Sequence, residues 1–223
     1  MLPKKVWLGL GLMFAASGAY AQSYVMNFGT PLNSGAPAAT VATLTLTQDG
    51  GDVDFSLTKV SGVSGLGSSS FISELSLTYS GSALLGSFGN VGNQAIGGFK
   101  VDPSGKDAGY DFAIQVKFPT SNGKNSDRFV DGDVASWTLT NAKVNSFLAP
   151  ISGSGANALG MVHVQGALGG DSFKYVVTQD GLISPVPEAQ TWVSMLAGLV
   201  VIGLVLTRRN KVGAQRTQLS SAA

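Results

Sequence analysis

One histidine, His163, is the natural place to look for acid–base chemistry in this chain, because no cysteine accompanies it. It lies in M-V-H-V-Q (residues 161–165), where strand alternation sets it on the face opposite Val162 and Val164. A zinc site needs further nitrogen or sulfur ligands at suitable spacing, and there is no second His or Cys to supply them. A hydrolytic triad needs a presented nucleophile, and the G-x-S-x-G elbow does not occur. His163 is therefore expected to be a structural residue on a strand face. Carboxylates gather in two places, Asp49, Asp52 and Asp54, and Asp127, Asp131 and Asp133. Hard oxygen ligands of this kind hold Ca²⁺, and Asp131-Gly132-Asp133 is the better candidate, although neither group has the spacing of an EF-hand loop. The weightier reading is local: Asp-Gly pairs form turns, and Asp52 and Asp54 alternate with apolar residues as the solvent side of a strand. A glycosidase would need two carboxylates facing each other across a cleft. Every acid here is accounted for by turns and polar faces. Trp137, the sole tryptophan of residues 22–184, shares a face with Ala135 and Leu139, and so is expected in a core and not as a sugar-stacking platform. Tyr79, Tyr110 and Tyr175 also fall on apolar faces. No catalytic residue and no cofactor is assigned.

The elements that carry these residues read as strands. T-V-A-T-L-T-L-T (residues 40–47) carries Val41 and then, after a slip of register, Leu44 and Leu46 opposite threonines. D-V-D-F-S-L-T (residues 52–58) alternates Val53, Phe55 and Leu57 with polar partners, and Gln48-Asp49-Gly50-Gly51 between the two reads as a hairpin turn. The pattern recurs at residues 74–79, 110–118, 134–140, 143–148, 161–165 and 172–178. In the second of these, Tyr110, Phe112, Ile114, Val116 and Phe118 are expected on one face. Residues 61–70 and 80–98 read as Gly/Ser-rich loops. About eight half-buried strands with no soluble helix predict an all-β fold, an antiparallel β-sandwich of jelly-roll or immunoglobulin-like order over residues 22–184. That length buries a substantial core without disulfides.

The two ends differ from this middle. Lys4 and Lys5, an apolar run over residues 6–16 and the small residues Ala19 and Ala21 have the three-part form of a signal peptide over residues 1–21, cut after Ala21. Near the other end, residues 192–206 are uncharged and mostly apolar. Taken with their flanks, a helix over about residues 190–207 reaches the length of a membrane span. Arg208 and Arg209 follow, and they orient such a helix with its basic end inside and the preceding domain outside. Residues 22–184 hold eight Lys/Arg against twelve Asp/Glu, which argues against binding nucleic acid through its phosphates.

Val186-Pro187-Glu188, then Trp192, an apolar Gly-containing segment and Arg208-Arg209 resemble the PEP-CTERM sorting signal of exported bacterial proteins. The resemblance covers residues 185–211 and leaves residues 212–223 as a polar cytoplasmic tail. It departs from the family at Ala189, where a second proline is usual, and in a longer polar tail. The resemblance implies a chain held transiently in the inner membrane, processed by signal peptidase and by an exosortase-type membrane enzyme, and delivered to the cell surface or exterior. In that setting exopolysaccharide is the implied surrounding partner. Segments 42–57 and 161–166 resemble stretches of PEP-CTERM ectodomains without assigned activity. The function expected is a non-enzymatic exported protein. The alternative is an extracellular saccharide- or calcium-dependent binding module on the same sandwich.

Overall fold

In the computed structural model of the chain, the residues described are 22–81, 88–90, 94–102, 106–121, 127–184, 198–200 and 202. The chain divides into two units between Ser184 and Pro185. The first is all-β. Twelve short strands form two antiparallel sheets, with strands β1 (Ser23–Phe28), β2 (Thr30–Pro31), β3 (Ala42–Asp49), β4 (Asp52–Lys59), β5 (Phe71–Leu77), β6 (Phe88–Asn90), β7 (Gly98–Val101), β8 (Ile114–Lys117), β9 (Val134–Leu139), β10 (Gly160–Gln165), β11 (Phe173–Val177) and β12 (Leu182–Ile183). One sheet has the order β12-β1-β3-β4-β9-β6 and the other β2-β11-β10-β5-β8-β7. Hairpins β3–β4, β7–β8 and β10–β11 stay within a sheet, and every other connection passes from one sheet to the other.

The first sheet is built as alternation dictates. Ala42, Leu44 and Leu46 of β3 and Val53, Phe55 and Leu57 of β4 point into a shared core, with threonine, serine and aspartate on the outside. No register slip interrupts β3: Ala42 continues the alternation, and the buried Val41 precedes the strand. The β3–β4 turn closes on Gly50, whose φ of 55° suits glycine. Gln48 braces it by donating to the carbonyls of Asp52 (2.7 Å) and Ala142 (3.2 Å) and accepting from the Val144 amide (2.9 Å). Trp137 is fully buried and stacks on Phe55 with ring centroids 5.2 Å apart and planes 5° apart, as a core residue should.

The second sheet differs from the expectation of one buried face. Its inner face (Leu75, Leu77, Ile114, Val116, Val162, Val164, Tyr175, Val177) joins the main core. Its outer face carries a second apolar cluster of Tyr110, Phe112, Ala158, Met161 and Val176. Tyr110 and Phe112 thus part from Ile114, Val116 and Phe118: the regular strand is only Ile114–Lys117, and the segment before it crosses to the other side of the sheet. Residues 143–148 are not a strand either. Val144–Phe147 is a single 3-10 turn whose buried residues, Val144 and Phe147, stand three apart, the spacing at which that helix repeats. The expected loop over residues 80–98 contains β6, paired with β9. The strand β1, where Met26 and Phe28 are buried, carries no alternating signal strong enough to have been expected.

Of the second unit, residues 198–200 and 202 are helical, with Leu199, Val200 and Ile202 exposed. Among the described residues no helix is long and apolar enough to cross a membrane. The expected signal peptide with Ala19 and Ala21, the sorting residues Val186, Pro187, Glu188, Trp192, Arg208 and Arg209, and most of the expected helix at 190–207 lie outside the described residues.

Candidate functional site: a hydroxyl and carboxylate groove

The side chains that β3, β4 and β9 turn outward form a polar surface with a fixed register. Thr47 stands opposite Asp54, which stands opposite Thr138; Thr45 stands opposite Ser56, which stands opposite Ser136. These residues line an open groove of about 530 Å³, closed at one end by Asp49 and Asp52, which face each other across the hairpin. The groove is ordered by its own hydrogen bonds. The Thr138 hydroxyl donates to Asp54 Oδ1 at 2.5 Å, and Asp52 Oδ1 accepts the Asn141 amide at 3.1 Å. Further along the sheet the Ser23 and Thr47 hydroxyls meet at 3.2 Å, and Thr43 donates to Asn27 Oδ1 at 3.2 Å. The structure therefore brings Asp49, Asp52 and Asp54 together, and adds the hydroxyls of β9, which are distant in sequence. Chemically the surface offers paired acceptors and hydroxyls that both donate and accept, the complement of a polyhydroxylated molecule.

The second acidic group is spread out. The Asp131 carboxylate pairs with the Lys59 ammonium and accepts the Gly62 amide at 3.1 Å. Asp133 Oδ2 accepts the Val130 amide at 2.9 Å within its own turn, and Asp127 is exposed. Among the described residues no three His, Cys, Asp or Glu gather as a metal-ligand group.

His163 lies on the outer face of the second sheet, with Val162 and Val164 turned to the core. Its cross-strand neighbours are Lys174 on β11 and Glu74 on β5. Burial holds the imidazole below its usual pKa, the Lys174 charge adds to that, and Glu74 and Asp107 oppose it. Glu74 in turn accepts from Gln115 (2.9 Å) and Ser76 (3.3 Å), and Lys174 pairs with Asp107. The register of β5 shifts beside His163, leaving Ser73 as an extra residue whose hydroxyl donates to the His163 carbonyl at 3.2 Å. The bulge turns both Ile72 and Leu75 toward the core, and this is what seats a charged row on a sheet buried on both sides. Within this row burial and the Lys174 charge favour the neutral imidazole, and the carboxylates of Glu74 and Asp107 act against them.

Sequence reasoning passed over two groups that the fold makes conspicuous. Lys59 is 1% exposed at the inward end of β4, and the Tyr175 hydroxyl is buried with no hydrogen-bond partner among the described residues. The Lys59 signal was present in the alternation Val53, Phe55, Leu57, Lys59, where a lysine continues an apolar face. No protein-family model, curated protein or solved structure matches the chain.

Proposed function

We propose that this chain is a non-enzymatic exported protein: a self-contained β-sandwich cut from a signal peptide after Ala21 and from a C-terminal sorting signal at Val186-Pro187-Glu188. The observation that carries the reading is where the fold closes. Strand β1 begins at Ser23 and β12 ends at Ile183, and the two pair directly, Val25 opposite Ile183. The unit boundary at Ser184 and Pro185 falls immediately before the sorting motif. Cutting at both places removes none of the described strands and leaves each of their ladders intact. The finer strand order is read as jelly-roll-like, because most connections pass between the sheets. A helix over about residues 190–207 serves as the transient membrane hold, with signal peptidase and an exosortase-type enzyme as processing partners and exopolysaccharide as the surroundings of the released domain.

The test is intact mass spectrometry of protein recovered outside its native cells. A chain from Gln22 to the neighbourhood of Pro187 or Glu188 is expected. Recovery in membranes alone, with residues 208–223 attached, would refute release and leave a single-pass anchor.

A second reading is favoured by the groove on the first sheet. We propose that its threonine, serine and aspartate side chains bind a saccharide without stacking. Titration with neutral and acidic polysaccharides should show binding that Asp54→Ala and Ser136→Val weaken together. Binding unaffected by either change would refute the placement.

A further inference from the structure

We propose that Lys59 and Asp131 condense into an intramolecular isopeptide bond that ties the end of β4 to the loop before β9. Lys59 occupies a core position. It continues the inward row of Val53, Phe55 and Leu57, and its side chain is 1% exposed. Its ammonium pairs with Asp131 Oδ1, while the other carboxylate oxygen, Oδ2, accepts the Gly62 amide at 3.1 Å. The backbone holds the two reactants from both sides: the Lys59 amide donates to the Asp133 carbonyl (3.3 Å), and the Gly132 amide donates to the Lys59 carbonyl (3.1 Å). Asp133 stiffens the loop through Val130, its amide donating to the Val130 carbonyl at 3.1 Å and its Oδ2 accepting the Val130 amide. Amine and carboxyl are thereby held in one arrangement, the condition under which an intramolecular reaction outruns its bimolecular counterpart.

The Lys59 side chain is 1% exposed and that of Asp131 25%. The reaction begins when one proton passes from Nζ to Oδ1, which gives an amine and an acid. The Nζ lone pair then attacks Cγ, and the charge that develops on Oδ2 falls where the Gly62 amide already donates. Collapse breaks the Cγ–Oδ1 bond. Oδ1 leaves as water with the proton it first received and a second one from nitrogen, so the balance is one amide formed and one water lost. No oxidant, metal or co-reactant is needed. The product closes a loop between residues 72 apart in a chain that has no cysteine for a disulfide. The other ion pair, Lys174 with Asp107, has side chains 26% and 30% exposed; its lysine lacks the burial of Lys59, and it serves as an internal control.

The experiment is intact mass of the folded, then denatured, full-length protein, followed by tryptic mapping. The wild type is expected to be lighter than its sequence by one water, with a branched peptide joining Lys59 to Asp131 and no cleavage after Lys59. Lys59→Arg and Asp131→Ala should each have full mass, and Lys174→Ala should retain the deficit. The mapping needs only the wild type, so a variant that fails to fold leaves the test standing. Full wild-type mass, with Lys59 and Asp131 in separate linear peptides, would overturn the proposal. So would a water deficit that persists in Lys59→Arg, which would place the dehydration within Asp131-Gly132 as a succinimide.

Discussion

Two tyrosines on opposite sides of the second sheet should respond to the same one-atom change with opposite sign. Tyr175 and Tyr110 are both fully buried. The Tyr110 hydroxyl donates to the Ala156 carbonyl at 2.7 Å and accepts the Gly155 amide at 3.2 Å. The Tyr175 hydroxyl is buried in the main core with no hydrogen-bond partner among the described residues, and burial pushes its pKa up to about 12. A buried polar group without a partner costs about 1–3 kcal/mol, whereas a satisfied one contributes about 0.5–1.5 kcal/mol. Tyr175→Phe removes the penalty and leaves only a void smaller than a methyl group, so a net gain of about 1 kcal/mol is expected. Tyr110→Phe loses its own bond and strips two backbone groups of theirs, for a loss of about 1–2 kcal/mol. In a domain of this size each kcal/mol moves Tm by roughly 2–4 °C. Urea unfolding of both variants beside the wild type gives the two values directly. The pH arm has a definite sign. The folded state keeps the Tyr175 proton to about 12 while the unfolded chain releases it near 10, so wild-type stability should fall between those values, and Tyr175→Phe should lack that part of the fall. A loss above about 1 kcal/mol for Tyr175→Phe would refute the reasoning, because it would mean the hydroxyl is bonded in solution.

Other expectations follow from the same structure. His163→Gln should flatten acid destabilisation: the folded imidazole titrates below the unfolded value of 6.5, so wild-type stability falls as pH drops from about 6.5 through the folded pKa, and equilibrium unfolding at pH 7 and pH 5 will show whether the variant loses less. Trp137→Ala should cost about 3–5 kcal/mol, read by urea denaturation, because it empties the space against Phe55 in a close-packed core. Trp137 emission in protein lacking the ends that carry the other tryptophans should not change on saccharide binding, since the ring faces the core and not the groove. Gly153→Ala should destabilise the cluster around Tyr110, because an added Cβ would lie 2.2 Å from that ring; the check is a lowered Tm, and a double variant with Tyr110→Ala that loses less than the two single losses summed.

Alternation alone marked β3, β4, β9, β10 and β11, and with them the inward turn of Trp137 and the outward turn of His163, Asp52 and Asp54. In β3, β4 and β9 one side is wet and the other dry, so the two-residue period appears in the letters. The same rule misjudged Tyr110 and Phe112, because both faces of the second sheet are covered and an apolar residue no longer says which side it is on. It also misjudged residues 143–148, where two buried residues three apart mimic a strand edge until the turn is seen. The paired ends were legible as composition: basic, apolar and small residues at the start, and an acid step, apolar run and arginines near the close. That β12 returns to pair with β1 was not legible, since the pairing joins the two ends of the domain across its whole sequence. The groove likewise needed register. Asp54 meets Thr138 over a separation of 84 residues, and only the β4–β9 ladder sets that meeting. Lys59 shows the division most plainly. Its letter breaks an apolar row, but the carboxylate 72 residues away that answers it, and the amide of Gly62 that holds that carboxylate, are brought there by tertiary packing alone.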